Sequence, residues 1–198
     1  AECFNIKADK NTLFSTLYQK AMEGDKDCGG MIACNYYSGE PVTGLEEGRP
    51  MFLRRPDSHL GLANFMRSHL YASLATLKIG LDILLKEEDV KIDSITGHGG
   101  LFKTKGVGQS ILAAAMNAPI SVMETAGEGG AWGMALLAAY MLSKKDGQSL
   151  GDYLDSRVFA ERKSETMEPD PADVAGFETY TKQYQACLAA EKAAVQAF

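Results

Sequence analysis

Glycines at 97, 99 and 100 close a short apolar run in "SITGHGGLFKTKGVGQSILAAAMNAPISV", residues 94 to 122. Glycine after a strand lets the backbone take positive φ and lets a ligand approach with no Cβ in the way. A helix start behind it offers free N–H groups and partial positive charge, which suit a phosphate or a ribose oxygen. Lys103 and Lys105 add charge to the same corner. A plainer reading competes, in which the glycines only make tight turns and the lysines are solvated. A second glycine turn, in "ETAGEGGAWGMALLAAYML" after the next strand, moves the balance toward a nucleotide or sugar site. In a parallel sheet two such turns face one edge, where ligands gather.

The common phosphate motifs are absent. "GLFKTKGVGQS" does not supply the GxxxxGK followed by Ser or Thr of a P-loop. "GHGGLF" puts Phe102 where the dinucleotide fingerprint needs its third glycine. His59, His69 and His98 have no metal-ligand spacing, and only His98 falls in the glycine corner. Cys3, Cys28, Cys34 and Cys187 form no CxxC pair and read as reduced thiols rather than a disulfide or zinc framework.

These residues need elements to position them. "DKNTLFSTLYQKAMEG" reads as a helix capped by Asn11 or Thr12 and stopped at Gly24, with Leu13, Leu17 and Met22 as its stripe. Met31 to Cys34 reads as a buried strand, and Met51 to Leu53 as a second. Asn64 is expected to cap a long helix whose stripe is Phe65, Leu70, Leu74, Leu77, Leu81 and Leu84. Strand Ile92 to Ile95, helix 107 to 117, strand Pro119 to Met123 and an alanine-rich helix follow. The tail opens with a proline in a helical first turn and carries Val174, Phe177, Thr181, Tyr184, Leu188 and Val195 near heptad spacing. The order is that of an α/β layer fold.

The chain has 198 residues, 45% hydrophobic and 23% charged, enough for one domain with a sizeable core. A net charge of −6 and a pI near 5.1 argue against nucleic acid or an anionic membrane as partner. No apolar run reaches the length of a membrane span and no signal peptide is seen, so a cytoplasmic protein is expected. Ala1 opens the chain with neither methionine nor a leading strand, which suggests a piece of a longer protein; N-terminal processing is the simpler account.

Four segments, taken in order, resemble the C-terminal domain of the FGGY family of carbohydrate kinases. They are "IACNYYSGEP", "NFMRSHLYASLATLKIGLDIL", "ITGHGGLFKTKGVGQSILAAAMNAPISV" and "EGGAWGMALLAAY", together spanning residues 30 to 140. The resemblance implies the actin-like, sugar-kinase ATPase (ribonuclease H-like) fold. The whole of 1–198 would be its C-terminal nucleotide-binding lobe, a sheet flanked by helices that lacks its first strands and leaves an edge to be covered.

It also implies roles for particular residues. Gly99 and Gly100 would lie against the adenosine and α-phosphate of ATP, and Gly129 and Gly130 would line the other wall. Lys103 or Thr104 falls where the family's small polar residue reaches adenine, with Gln109 a further contact. Glu128 would cap or orient its turn. Trp132 either packs in the core, as the helix pattern suggests, or stacks on adenine. Glu40 either reaches an interdomain face or is a turn residue paired with an arginine. The sequence departs from the family pattern in a longer loop after Gly100, in the arginines of "GRPMFLRRPDSHLGLANF", and in Thr76 and Leu77 where a Glu-Gly pair is usual.

The family's catalytic aspartate, phosphate loops and most sugar contacts lie upstream of these segments, so no catalytic residue is assigned and the chain alone is expected to be inactive. The intact enzyme would use ATP and Mg²⁺ to phosphorylate a ketopentose, xylulose first and ribulose next, with glycerol and gluconate open. Its partners would be ATP, a small sugar and the N-terminal domain of the same protein, with a homodimer as a further alternative. A nucleotide- or sugar-sensing module without turnover is the reading from another class. A dehydrogenase would require NADH rather than ATP to quench Trp132.

Overall fold

The computed structural model describes residues 7–92, 95–123, 129–160 and 164–197. Helix α1 runs Lys10–Ala21. Its cap is Asp9 rather than Asn11 or Thr12: the carboxylate accepts from the backbone N–H of Asn11 at 2.9 Å and of Thr12 at 3.1 Å. A carboxylate at the position just before the helix can serve two orphan donors at once, which a helix start favours.

Strand β1, Met31–Cys34, is buried along its whole length. It pairs antiparallel with β2, Met51–Arg54, Met31 opposite Arg54. Helix α2, Leu62–Lys86, starts from Gly61 without a side-chain cap. Asn64 lies inside it, buried, and ties the helix to the preceding loops. Its Oδ1 accepts from the Asp25 backbone N–H at 2.6 Å, and its Nδ2 donates to the Asp25 carboxylate and the His59 carbonyl, each at 2.9 Å.

The expected stripe of α2 is also rotated. Leu70 and Leu74 are buried, but Phe65, Leu77 and Leu84 are exposed. The face turned inward carries Arg67, Ser68, Tyr71, Ala75 and Lys78 instead. Long charged side chains can occupy a core face when their charge is met internally. Arg67 is fully buried; it pairs with the Asp173 carboxylate, donates to the Tyr71 hydroxyl at 2.8 and 3.1 Å, and points Nη1 at the carbonyls of Ala21, Met22 and Gly24 at 3.4 to 3.5 Å. Lys78 meets Asp82 at 2.7 Å and Glu178 at 2.9 Å.

The second sheet has the order β3-β4-β5. β3, Ile95–Gly97, runs parallel to β4, Ile120–Met123, with Ile95 opposite Ile120 and Gly97 opposite Val122. Pairing therefore reaches the glycine itself, and Ile92 lies outside the strand. Helix α3, Val107–Met116, connects the two strands, and all but one of its residues are buried. β5, Ser164–Met167, adds antiparallel to β4. Helix α4, Gly129–Ser143, follows β4, and none of its residues is buried. Trp132 is half-buried rather than in the core, its ring edge-on to Phe159 at 6.0 Å. A short helix α5, Leu150–Tyr153, precedes β5. Helix α6, Pro171–Ala197, is capped by Asp170, whose carboxylate accepts from Ala172 and Asp173. Phe177, Thr181 and Tyr184 of its expected stripe are buried, and Val174, Leu188 and Val195 are half-buried. The core lies where α2, α3 and α6 close over β1.

Candidate nucleotide site

The glycine corner sits where β3 ends. At Gly97 a Cβ would run into the Phe102 ring, so the strand must finish on glycine. Gly99 takes φ +108°, a conformation that side chains rarely adopt. A single turn, Gly100–Lys103, follows, and Gly106 at φ +81° redirects the chain into α3. Gly108 then packs on this turn, because a Cβ there would lie 2.5 Å from the Leu101 carbonyl oxygen. Gly99 and Gly100 differ from these. Among the described residues no atom lies within 4 Å of where their Cβ would be, so on that side they meet none of these residues.

The parallel register brings the two glycine turns together. A Cβ on Gly129, the first residue of α4, would lie 3.1 Å from the Cβ of His98. Gly130 next to it has open space instead. Glu128, expected to orient this turn, lies outside the described residues.

Four cavities border the corner; one of about 620 Å³ runs along α1 past Lys103 and Thr104, and three more divide the expected contacts among them. One of about 470 Å³ lies between α1 and the turn, where Asn11, Phe14 and Tyr18 face Gly100, Lys103 and Thr104. A second, of about 360 Å³, is bordered by Thr104 and Gln109 on one side and by Met123 and Glu165 on the other. The third, of about 500 Å³, holds His98, Gly129, Gly130 and Trp132 against leucines of α4 and Phe159.

The polar side chains of the corner are well anchored. Gln109 is buried, and its Nε2 donates to the carbonyls of Ile120 and Glu165, both at 2.7 Å. Thr104 is buried and its hydroxyl lies 3.4 Å from that of Ser15 on α1. Gln19 of α1 donates to the Lys105 carbonyl at 3.2 Å. Lys105 pairs with Glu165 at 3.3 Å across an exposed gap. Glu40 lies away from the corner and caps its own turn, accepting from the Val42 N–H at 3.0 Å.

Sequence reasoning passed over α1 as a contributor to this corner. The signal was Phe14 and Tyr18, four residues apart and off the expected Leu13 and Leu17 stripe; their rings meet edge-on at 6.3 Å.

A β-α-β unit with glycine turns at its carboxyl edge, flanked by helices, is an α/β arrangement with a ligand-accepting edge. The model of the FGGY family of carbohydrate kinases, C-terminal domain, matches residues 2–142, and the chain belongs to that family. No curated protein matches it. Among solved structures it is similar to gluconate kinase from Lactobacillus acidophilus, with a TM-score of 0.66 and 18% identity over 88% of this chain and 34% of that one. It is similar to the ligand-bound xylulose kinase of the same organism, with a TM-score of 0.65 and 19% identity over 89% of this chain and 35% of that one. Glycerol kinase from Plasmodium falciparum with ADP gives 0.61 and 16% identity over 89% of this chain and 33% of that one. The chain spans about a third of the length of these proteins.

Proposed function

We propose that residues 1–198 form the nucleotide-binding C-terminal lobe of a cytoplasmic carbohydrate kinase that transfers the γ-phosphoryl group of ATP to a hydroxyl of a ketopentose, xylulose in the first instance. The observation that carries the reading is the meeting of two glycine turns at the carboxyl edge of a parallel strand pair, in a chain of this family. Gly99 and Gly100 present bare backbone to the adenosine and α-phosphate, Lys103 and Thr104 lie beside it, and Gly129 and Gly130 form the facing wall. Gln109 holds β4 and β5 in place behind the turn, and Glu40 shapes a loop turned toward the other lobe.

Phosphoryl transfer is mostly positioning plus stabilisation of charge on the moving group. In this reading the present lobe supplies the first part, fixing the nucleotide; a general base and the phosphate clamps come from an N-terminal domain of the same protein. Mg²⁺ would neutralise charge on the triphosphate. Among the described residues no three His, Cys, Asp or Glu side chains cluster to hold a metal, so no step is assigned to it here. The bare apolar surface of α4, with Met134, Met141 and Leu142 more than two-thirds exposed, supports a lobe built to be covered by further chain. Among the described residues no helix is long and apolar enough to cross a membrane.

Calorimetric titration with ATP and AMP, with and without Mg²⁺, tests the reading on this chain and on the full-length protein. Gly100→Leu is the informative variant, because its Cβ meets no atom of the described residues within 4 Å. Saturable binding that this variant abolishes is the expected result; binding that it leaves unchanged removes the glycine corner as the site. A panel of xylulose, ribulose, glycerol and gluconate with the full-length protein then decides the acceptor. Nucleotide binding without turnover on any of them would favour a sensing module.

A further inference from the structure

The cavities at the corner are all large enough to hold a nucleobase, and the two that border the open Gly100 and Gly130 differ in chemistry. The one against α4 is walled by leucines, Trp132 and Phe159, with His98 and the Trp132 indole N–H as the polar side-chain groups among its described residues. It offers a base apolar contact and little to read its edge. The one against α1 offers an aromatic face, a carboxamide and hydroxyls in one cleft. Small-molecule sites combine apolar walls with a few convergent polar groups in this way.

We propose that α1 is the base-reading wall of the nucleotide site, with Phe14 stacking on a purine and the Asn11 carboxamide pairing with its 6-amino edge. This rests on the nucleotide-binding reading above and specifies where and how the base is recognised. Four observations support it. Phe14 is 46% exposed, a large apolar ring left open on the side of the cleft. Lys10 lies 5.8 Å from its centroid and Tyr18 meets it edge-on, so the ring is held from its own helix. The backbone N–H of Asn11 is committed to Asp9, which fixes the residue at the helix start while its side chain borders the cleft. The far wall is the open backbone of Gly100, and contacts from Ser15 to Thr104 and from Gln19 to the Lys105 carbonyl hold the two walls together.

The chemistry selects adenine over guanine. A carboxamide carries a donor and an acceptor side by side, which complements the adjacent acceptor and amino donor of adenine. Guanine presents two acceptors at the corresponding positions and leaves the amide oxygen opposed by another oxygen. Stacking on Phe14 contributes to both purines alike.

The test uses the full-length enzyme with its best acceptor and measures KM and kcat for ATP and GTP. Phe14→Ala is expected to raise KM for ATP about tenfold, equivalent to ~1.4 kcal/mol, with kcat at saturating ATP and KM for the acceptor retained. Phe14→Trp is expected to keep the wild-type KM. In a Trp132→Phe background its fluorescence is quenched by ADP, a readout independent of turnover. Asn11→Ala is expected to lower the ATP:GTP preference about tenfold, with the melting temperature unchanged. Wild-type turnover of ATP with unaltered KM in Phe14→Ala and an unaltered purine preference in Asn11→Ala would overturn the assignment of α1 and leave the kinase reading standing. A full-length protein that binds no nucleotide would overturn both.

Discussion

The α1 wall is held by a charge that the protein has taken out of water, and this gives a sharp prediction. Arg67 and Asp173 pair with side chains only 1% and 7% exposed. The second partner of Asp173, Lys26 at 2.8 Å, is 46% exposed and contributes no more than about 1 kcal/mol. In Asp173→Ala the guanidinium keeps the Tyr71 hydroxyl and three long contacts to carbonyls at the end of α1, but loses its counter-charge. Removing one member of a buried pair costs about 3–5 kcal/mol, because the other charge stays behind. For a chain of this length the unfolding entropy is about 0.4 kcal/mol/K, so the melting temperature should fall by about 7–12 °C. Urea unfolding followed by circular dichroism measures the loss, and Asp173→Asn should lie between the alanine variant and wild type. The double variant Arg67→Met/Asp173→Leu removes both charges and should recover most of the stability. An Asp173→Ala protein within 1 kcal/mol of wild type, or a double variant as unstable as the single one, would refute the reasoning. The Arg67 contacts end on the carbonyls of Ala21, the last residue of α1, and of Met22 and Gly24 just beyond it, so the same single substitution should weaken nucleotide binding at the α1 cleft, and the double variant should not restore it fully.

Other substitutions and conditions have equally definite outcomes. Gly176→Ala on α6 would drive a methyl group into the Lys26 backbone carbonyl, and overpacking of this kind should cost about 1–3 kcal/mol by urea unfolding. Gln109→Ala strips the Ile120 and Glu165 carbonyls of their shared donor; a loss of about 1–3 kcal/mol is expected, with faster amide exchange in β5 than in β1. Burial against Phe52 and Phe65 lowers the pKa of His69, so this group favours the folded state fully above the usual histidine range and loses that contribution as pH falls through it. An NMR titration should find its midpoint below 6.5. Burial drives the Cys28 thiol upward and, with the neighbouring Glu191, pushes Cys34 up to about 12. Both should therefore resist a thiol reagent at pH 8 until the chain is unfolded.

What the sequence reveals and what it hides follow from the range of the forces involved. β1, β2, α3 and β4 are legible because each is a local apolar run ended by a turn signal, and burial follows directly from composition. The helix starts are legible only to within a few residues. Asn64 has the chemistry of a cap, but its amide makes two contacts to Asp25, far back along the chain, and one to the His59 carbonyl, and those contacts outweigh capping. The face of α2 cannot be read from leucine spacing alone, because the burial of Arg67 and Lys78 also draws on Asp173 and Glu178 of α6, more than 90 positions along the chain. β5 is hidden for a similar reason. "SETM" carries no apolar alternation, and it forms a strand because β4 offers it an edge and the Gln109 amide fastens its carbonyl.

The corner itself shows where local reading stops. The glycines are visible one by one, but they do different jobs. Gly97 and Gly108 exist because Phe102 and Leu101 occupy the space a Cβ would need, whereas Gly99, Gly100 and Gly130 border open space. Only the second kind is informative about a ligand, and within it Gly100 and Gly130 most of all, since a packed glycine is explained by its neighbours and Gly99 by its φ of +108°. That distinction also orders the expected contacts. Gln109 has both amide hydrogens committed to strand carbonyls, so its part is to fix the frame. Gly100 and Thr104 stand at the mouth of the α1 cleft with nothing between them and Phe14 but the cavity. A variant series that fills open positions (Gly100→Leu, Gly130→Leu) against one that fills packed ones (Gly97→Ala, Gly108→Ala) separates the two roles. The first should lose nucleotide affinity at constant melting temperature, and the second should lose stability first. Equal loss of stability in both would mean that the open glycines are turn residues, and that the corner holds only itself.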